Sequence, residues 1–320
     1  MESKYDISLM VRVAQMYHEQ GMKQDEIAGI LQISRAMISM ILTEAMNKGI
    51  VEINIRNPLV NNDELSNELM RLFELRECVV IPTSVQDTRT LRKLVAKRAV
   101  DIFNRELDNR KTVGITWGRT CYQFVSAFNL NKNVKDISVV TLIGGSDQKE
   151  KYYQLNEMAR TLAEKMNGFP YFLHAPILAS TIKEKEVYLN CVSMQIIMER
   201  WKNIDIVITG IGTLPIESSN ERKTYNGENE INDNLGDNGA VGDICARYFK
   251  INGEFIKDTF YDRVIGIPIE DVRNAKTVIG IAAGTDKSRS ILGALRTKVL
   301  DVFITDEQTA KAVIRASQFE

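Results

Sequence analysis

The chain has 320 residues, of which 44% are hydrophobic and 26% are charged, and its formal net charge is −1. This length predicts two or three domains, and the near-neutral charge excludes a strongly polybasic protein. No segment approaches the roughly 20 consecutive apolar residues of a membrane helix, and no signal-peptide pattern is present at the N-terminus. The cysteines Cys78, Cys121, Cys191 and Cys245 lie far apart in the chain. Neither a disulfide framework nor a zinc site is therefore expected, and the predicted location is the cytoplasm.

The stretch from Gln24 to Thr43 has the pattern of two short helices joined by a tight turn. Apolar residues recur at helical spacing on one face of each helix: Ile27, Ala28 and Leu31 in the first, and Ile38, Ile41 and Leu42 in the second. Ser34 is a favourable N-cap for the second helix. The pattern predicts a helix-turn-helix, whose second helix enters the DNA major groove, with an ordinary helical hairpin as the alternative.

The flanking segments extend this unit. A helix is predicted over 5–20, with one apolar face formed by Ile7, Met10, Val11, Ala14 and Tyr17. Apolar and polar residues alternate over 51–56, which predicts a half-buried strand. Three helices and a strand make a winged helix-turn-helix, and the Arg-Asn-Pro sequence at 56–58 marks its edge. We therefore predict a DNA-binding domain at 1–57 and a second domain at 58–320.

The polar residues predicted to face the groove are Gln24, Ser34, Arg35, Ser39 and Thr43. Arg35 is the strongest candidate for reading a base, because its guanidinium fork matches the acceptors of guanine; a solvated surface charge is the alternative. Acidic residues slightly outnumber basic residues across 1–56. Since phosphate contacts supply much of the affinity for DNA, a single copy is expected to bind weakly, and a dimer or tetramer on a repeated site is predicted.

From residue 60 onward, short β-branched runs alternate with helical segments. Strands are predicted at 78–81, 113–115, 137–143, 171–173, 204–209, 264–267, 278–282 and 299–304. Helices are predicted at 65–73, 91–103, 118–128, 152–166, 183–201 and 287–295, and a long polar loop extends to about residue 237. This alternation predicts an α/β fold with a mainly parallel, doubly wound sheet that is covered on both faces.

Glycine-containing loops follow four of the predicted strands, at 114–120, 144–146, 210–212 and 283–284. In such sheets, ligands bind beyond the carboxyl ends of the strands. Glycine lets the backbone approach an anion, and a helix N-terminus offers free N–H groups. The loops therefore predict a phosphate-bearing small molecule. None has the spacing of a dinucleotide or ATP motif, so no cofactor is predicted.

Several longer segments carry a family resemblance: GITWGRT at 114–120, GAVGDICARYF at 239–249, AAGTDKSRSILGAL at 282–295 and ITDEQTA at 304–310, with ISRAMIS at 33–39 and GIVEINI at 49–55. Over nearly its whole length the chain resembles the SorC family of bacterial transcriptional regulators, including the deoxyribonucleoside-regulator and central-glycolytic-regulator branches. The resemblance implies a winged helix-turn-helix joined to a sugar-phosphate-binding domain of the sugar-phosphate isomerase and deaminase type. It also implies oligomers, usually tetramers, whose affinity for operator DNA is tuned by an effector.

The resemblance also implies a set of effector-binding residues. They are Gly114, Thr116, Gly118, Arg119 and Thr120 in a first loop, Gly144, Gly145 and Ser146 in a second, Gln154 and Asn156 on the next helix, and Asp243, Gly284 and Lys287. Asp243 would accept hydrogen bonds from sugar hydroxyls, and Lys287 would supply charge to the phosphate. The alternatives are a helix cap for Asp243 and a surface ion pair for Lys287.

Three positions depart from the family pattern. Gln32 stands where the turn often has glycine, and Met40 stands where the second helix often has a basic residue. Ile143 stands where some members place a lysine that forms a Schiff base, so non-covalent effector binding is predicted. A sugar-phosphate isomerase or deaminase remains an alternative, as does a ligand-responsive protein-interaction module. The lone His18 and His174 do not indicate catalysis, and the DNA-binding unit favours a regulator over an enzyme.

Overall fold

The computed structural model of the protein describes residues 5–51, 62–84, 87–146, 149–214 and 238–320. The chain forms two compact units, Met1–Leu59 and Val60–Glu320. The predicted wing strand lies, apart from Val51, outside the described residues, and so do the predicted domain edge at 56–58 and most of the long polar loop. The division into domains at 1–57 and 58–320 stays a prediction.

The first unit contains the helices α1 (Ile7–Ala14), α2 (Gln24–Leu31) and α3 (Arg35–Asn47), and a π-helical turn, Gln15–Glu19, follows α1. Their apolar faces meet in one small core, formed by Tyr5, Met10, Val13, Met16, Ile27, Ile38, Ile41, Leu42 and Ala45. The chain bends by 106° between α2 and α3. The predicted pair of steeply packed helices, joined by a short turn, is therefore present.

The buried face of α1 differs from the predicted one. Ile7 is 62% exposed and Tyr17 is 37% exposed, whereas Val13 and Met16 are buried. The buried residues of α1 are Met10, Val13 and Ala14, so Ile7 lies off the buried face within a regular helix. The π-helical turn after Ala14 interrupts the regular spacing, and this accounts for the exposure of Tyr17. The single apolar stripe predicted over 5–20 is therefore wrong at these positions.

Local backbone chemistry explains the turn between α2 and α3. Gln32 adopts the left-handed conformation with φ 54°, and the N–H of Ile33 donates to the carbonyl of Ala28 at 3.2 Å. The side chain of Ser34 accepts a hydrogen bond from the backbone N–H of Met37 at 3.2 Å, as its predicted N-cap role requires.

Among the described residues, no single helix is long and apolar enough to cross a membrane. Only the bent pair of α2 and α3, taken together, has the length and composition of a membrane-spanning segment.

The second unit contains ten described strands and ten described α-helices. The strands are β1 (Glu77–Ile81), β2 (Thr112–Ile115), β3 (Ser138–Thr141), β4 (Phe169–Tyr171), β5 (Ile206–Gly210), β6 (Gly212–Thr213), β7 (Ala240–Ile244), β8 (Arg247–Lys250), β9 (Thr277–Ile281) and β10 (Val302–Asp306). The helices are α4 (Asp63–Phe73), α5 (Thr88–Glu106), α6 (Arg119–Ala127), α7 (Leu155–Lys165), α8 (Ile182–Leu189), α9 (Val192–Lys202), α10 (Thr259–Arg263), α11 (Ile269–Arg273), α12 (Ser288–Arg296) and α13 (Glu307–Phe319).

Seven strands form one sheet in the order β1-β10-β9-β5-β2-β3-β4, and every neighbouring pair is parallel. All residues of β2 and β3 are buried, as expected for a parallel sheet covered on both faces. The predicted α/β class and mainly parallel sheet are confirmed. From β2 the chain proceeds outward through β3 and β4, then returns to β5 on the other side of β2. The strand order therefore reverses between β2 and β5, where ligands bind in open α/β sheets.

Two predicted elements are wrong. The run 264–267 forms only isolated bridges, Leu178 to Val264 and Ile143 to Gly266. Its carbonyls at Gly266 and Ile267 instead accept hydrogen bonds from the buried guanidinium of Arg247, at 3.2 and 3.5 Å. The single helix predicted at 183–201 is two helices, α8 and α9. The break falls at Cys191, whose ψ of 140° is extended. α9 buries Met194, Ile197 and Trp201 in the core, whereas α8 contacts the core only through the half-buried Tyr188 and Leu189.

A second sheet is absent from the sequence prediction. β6, β7 and β8 form a three-stranded antiparallel sheet, in which Gly212 pairs with Asp243 and Thr213 with Gly242. These strands are two to five residues long, too short to show a clear alternation in the sequence. The sheet brings Asp243, which is remote in sequence, to the end of β5.

Candidate functional site

A cavity lies at the carboxyl ends of β2 and β5, where the strand order reverses. Its lining residues come from α5, from the segments that follow β2 and β5, from the β7–β8 hairpin and from the turn before α12. They are Arg92, Thr116, Trp117, Gly118, Arg119, Thr120, Cys121, Ile143, Tyr153, Thr209, Gly210, Ile211, Gly212, Thr213, Asp243, Cys245, Ala246, Tyr248 and Lys287. The cavity thus joins segments that are almost 200 residues apart in sequence.

Three cationic side chains and one carboxylate line the cavity: Arg92, Arg119, Lys287 and Asp243. The ammonium of Lys287 donates to the carbonyl oxygen of Ile211 at 2.7 Å. Burial, followed by repulsion from Arg92 and Arg119, lowers the pKa of Lys287 to about 8. The cations therefore lie close enough to repel one another, and an anion placed among them would relieve that repulsion.

Asp243 lies on β7 and lines the cavity, close enough to Lys287 for the two opposite charges to interact. Its Oδ2 accepts the backbone N–H of Ala246 at 3.0 Å, so the carboxylate stabilises the β7–β8 turn and does not cap a helix. Burial raises the pKa of Asp243 to about 6, against the opposing effects of that hydrogen bond and of Lys287. The group therefore remains mostly ionised at neutral pH and can accept further hydrogen bonds.

Gly212 makes room for this carboxylate. A Cβ atom at position 212 would lie 1.8 Å from Oδ1 of Asp243, far closer than two non-bonded atoms can approach. The observed position of this carboxylate therefore requires glycine at 212. The equivalent Cβ at Gly210 would lie 3.7 Å from Sγ of Cys121, which is ordinary contact.

The inner wall of the cavity consists of hydroxyl and thiol groups. The hydroxyl of Thr116 donates to that of Thr209 at 3.4 Å, and the hydroxyl of Thr209 donates to the carbonyl of Gly210 at 3.0 Å. Burial raises the pKa of Cys121 to about 11 and that of Cys245 to about 12. Both cysteines therefore stay protonated near neutral pH and are not activated nucleophiles.

Aromatic rings and helix N-termini form the rest of the wall. The rings of Trp117 and Tyr153 meet edge to face, with centroids 5.6 Å apart. Gly118 has φ 123°, a conformation that glycine adopts readily, and its N–H donates to the carbonyl of Tyr152 at 2.9 Å. No side chain caps the N-terminus of α6 or of α12, and both helices begin at this cavity. Their first backbone N–H groups favour an anionic ligand.

The structure brings six of the predicted effector residues to the cavity: Thr116, Gly118, Arg119, Thr120, Asp243 and Lys287. Seven others are not among its lining residues: Gly114, Gly144, Gly145, Ser146, Gln154, Asn156 and Gly284. Gly114 and Gly144 are packing positions, since a Cβ would lie 2.3 Å from Ile204 in the first case and from Pro176 in the second. Gly284 donates its N–H to Thr309 at 2.8 Å and lines a separate cavity with Asp286 and Asp306.

Several residues that line the cavity are not among the effector-binding residues predicted from the sequence. Arg92 lies on the helix predicted at 91–103. The basic residues of that helix are expected on its outer face, but Arg92 is half-buried at the cavity. Trp117 and Cys121 lie within or beside the quoted 114–120 segment, and Cys245 lies within 239–249. The signal was therefore present in those motifs. Tyr153 and Thr209 carry no comparable signal, since only the fold shows which way they point.

The predicted DNA-contacting residues lie on α2 and α3. Ser34, Arg35, Ser39 and Thr43 are exposed, and Gln24 is half-buried. Arg35 lies 3.6 Å from the carboxylate of Asp25, and both side chains are about two-thirds exposed, at 68% and 69%. Such an exposed pair contributes little stability and opens easily. The outward face of α3 is thus available to a groove, and the role of each side chain in reading bases stays a prediction.

Comparison with known proteins gives the class of this chain. Residues 57–315 match the family described as "Putative sugar-binding domain". The chain is 30% identical to the deoxyribonucleoside regulator of Bacillus subtilis, over 96% of this chain and 97% of that protein. It is 29% identical to the sorbitol operon regulator of Klebsiella pneumoniae, over 98% of this chain and 100% of that protein. The crystal structure of full-length sorbitol operon regulator SorC from Klebsiella pneumoniae superposes with a TM-score of 0.78, at 27% identity, over 98% of this chain and 100% of that one.

The matched family and the relatives together define an effector-controlled, DNA-binding transcriptional regulator rather than an enzyme. The chain belongs to the sugar-binding domain family of SorC-type regulators. The isomerase or deaminase alternative has no support in these comparisons, since the relatives named are transcriptional regulators.

Proposed function

We propose that a phosphorylated sugar, bound non-covalently in the cavity between β2 and β5, controls the affinity of this regulator for operator DNA. The observation that carries the proposal is the set of three cations, Arg92, Arg119 and Lys287, beside the N-termini of α6 and α12. Cationic side chains and free backbone N–H groups in one enclosed site favour a phosphate.

Other groups that line the cavity have the chemistry that a sugar requires. The carboxylate of Asp243 and the hydroxyls of Thr116 and Thr209 can exchange hydrogen bonds with several sugar hydroxyls. The ring faces of Trp117 and Tyr153 offer apolar area for the sugar C–H groups. The same cavity therefore has groups suited to a phosphate and groups suited to a polyol.

The proposal of non-covalent binding rests on Ile143. This residue lines the cavity and stands where some members of the family place a Schiff-base lysine, and its side chain is aliphatic. Borohydride treatment of the protein with a candidate effector is expected to leave the mass of the chain unchanged. A stable adduct on any lysine would contradict this part of the proposal.

DNA binding is proposed to need more than one copy of the chain. The described part of the first unit has acidic residues at 6, 19, 25, 26 and 44 and basic residues at 12, 23, 35 and 48. It therefore has no excess of positive charge. Phosphate contacts supply much of the affinity for DNA, so two or more copies of the helix-turn-helix on a repeated site are expected.

The proposed compartment is the cytoplasm, where operator DNA and sugar phosphates are both present.

The test combines a thermal-shift screen with a DNA-binding assay. Sugar phosphates and the matching free sugars are screened for a rise in unfolding temperature, which reports binding to the folded state. Each compound that binds is then added to the protein with labelled operator DNA selected from a random pool, and fluorescence anisotropy is measured. We expect a phosphorylated sugar, and not its free sugar, to shift both readings. Equal responses to the two forms would overturn the phosphate assignment.

A further inference from the structure

The outward face of α3 is uncharged at its centre. Four apolar residues of α3 pack in the small core of the first unit and so fix the rotation of the helix: Ile38, Ile41, Leu42 and Ala45. At 3.6 residues per turn, four residues lie within roughly 30° of the point opposite that core: Ala36, Met40, Thr43 and Asn47. All four are exposed. The centre of the outward face therefore consists of apolar and uncharged polar side chains.

The two charged residues of α3 lie away from this centre. Arg35 is displaced from it by roughly 110° and Glu44 by roughly 70°, in opposite directions around the helix. The guanidinium of Arg35 lies 3.6 Å from the carboxylate of Asp25 on α2, and Glu44 is half-buried. When the outward face of the second helix enters the major groove, uncharged side chains thus lie nearest the base edges.

Three of the central side chains end in a methyl group and have no proton to donate to a base. Ala36 and Met40 contain no donor group. Met40 is 48% exposed, and the hydroxyl of Tyr5 donates to its Sδ at 3.9 Å, so that one side of the thioether is held by the core. The hydroxyl of Thr43 donates to the carbonyl of Ser39 at 3.0 Å, which uses its only proton within the helix. These side chains therefore offer apolar contacts.

Ala36, Met40 and Thr43 form one row along the helix, because they are four and three residues apart. At a rise of 1.5 Å per residue the row is roughly 10 Å long, which is the length of about three base pairs. Thymine is the base that has a methyl group in the major groove, and apolar groups such as the Ala and Thr methyls are its contact partners. The row is therefore complementary to thymine rather than to guanine.

We propose that Met40, with Ala36 and Thr43 beside it, reads thymine methyl groups, so that each half of the operator contains a short A·T-rich core. Arg35 then contacts the phosphate backbone at the edge of the groove. The inference rests on operator binding through α3 and does not depend on the effector. A protein partner fits this face less well, since interface cores are enriched in aromatic residues and Met40 is the one large apolar side chain at its centre.

The test uses the full-length protein and duplex DNA selected from a random pool, in which thymine is expected at fixed positions of each half-site. Each of these thymines in one half-site is replaced in turn by deoxyuridine, which removes only the methyl group. At the thymine read by Met40, the replacement is expected to weaken binding about fourfold, which corresponds to the roughly 0.8 kcal/mol of one buried methyl group. In Met40→Ala the same replacement is expected to cost almost nothing, because the contact is already lost.

Met46→Ala is the matched control. Met46 belongs to the same helix and is 42% exposed, but it lies roughly 90° from the centre of the outward face. Its removal is expected to leave every effect of deoxyuridine as in the wild type. Met40→Leu keeps an apolar side chain and is expected to retain the preference for thymine. Thermal unfolding shows whether each variant remains folded.

Equal effects of deoxyuridine in the wild type and in Met40→Ala would show that Met40 does not read a methyl group. A selected site in which guanine alone is fixed, with a preference that Arg35→Ala relaxes, would also overturn the proposal. Both results would leave DNA binding itself intact. A protein that selects no duplex from the pool would overturn this inference together with the control of operator affinity proposed above.

Discussion

At the scale of single residues, the cavity is shaped by two side chains whose charges are costly to bury. Burial lowers the pKa of Lys287 to about 8 and raises that of Asp243 to about 6. Each shift records a free-energy cost of ionising the group where it is buried. A bound phosphate would stabilise the charged form of Lys287 and so offset that cost, and hydrogen bonds from sugar hydroxyls would do the same for Asp243.

Replacing Lys287 by Ala is expected to remove the response to effector while leaving the DNA affinity of the effector-free protein unchanged. A hydrogen bond to a charged group is worth about 1.5–3 kcal/mol, so effector affinity should fall by roughly 10- to 150-fold. Calorimetric titration and operator anisotropy measure the two effects. Lys97→Ala is the matched control, and a Lys287→Ala protein that responds normally would show that the phosphate lies elsewhere.

Effector affinity is expected to depend on pH with a fall on the alkaline side. The phosphate is bound by the protonated form of Lys287, whose pKa in the free protein is about 8. As pH rises through 8, the ammonium loses its proton and affinity decreases. Titrations between pH 7 and 9.5 test this, since phosphate monoesters with a second pKa of about 6 stay dianionic there. The alkaline fall should be missing in Lys287→Ala; a fall that persists would assign it to another group.

At the scale of elements, the small antiparallel sheet links the cavity to distant sequence. β6 and β7 pair through Gly212 and Asp243, and a Cβ at position 212 would collide with the carboxylate of Asp243. Because β6 follows β5 directly, movement of this sheet would move both Asp243 and the carbonyl of Ile211 that holds Lys287.

Gly212→Ala is therefore expected to abolish effector binding, since the new Cβ would collide with the carboxylate of Asp243 and displace it from its place in the cavity. The closest matched change is Gly210→Ala, two residues earlier in the same segment, where the new Cβ makes ordinary contact at 3.7 Å. Its effect on effector affinity is expected to be much smaller. Thermal unfolding shows whether either variant remains folded, and equal affinities for the two variants would refute the steric argument.

At the scale of the whole molecule, control of DNA binding is a coupling between two sites. If effector changes the affinity for operator by some factor, operator must change the affinity for effector by the same factor. This holds whether the effector weakens or strengthens DNA binding. The coupling requires that the ligands prefer different arrangements of the protein.

The two factors are measured independently: operator affinity with and without saturating effector, and effector affinity with and without saturating operator. We expect them to agree and to be lost together in Lys287→Ala. A change in operator affinity without the reciprocal change in effector affinity would mean that the compound acts at a different site or on a different oligomeric state.

Much of the architecture could be predicted from local patterns. Each strand of the parallel sheet overlaps a predicted strand, because buried parallel strands are continuous β-branched runs. The helix-turn-helix was recognisable because Ser34 and the apolar spacing around it act within a few residues. The short strands β6 to β8 and the break before α9 could not be predicted, because contacts from distant segments stabilise them.

The sequence by itself determined the class of fold, the helix-turn-helix and the family. The fold class follows from periodicity, the helix-turn-helix from apolar spacing and capping, and the family from motifs that each lie within one segment. Only the tertiary structure decided which residues share the cavity. Thr116 faces it while Gly114, two residues earlier, is packed against Ile204, and Arg92 reaches it from a separate helix. The packing of strands and helices decides where a side chain points and which distant segments come into contact. The spacing of residues along the sequence does not specify that packing.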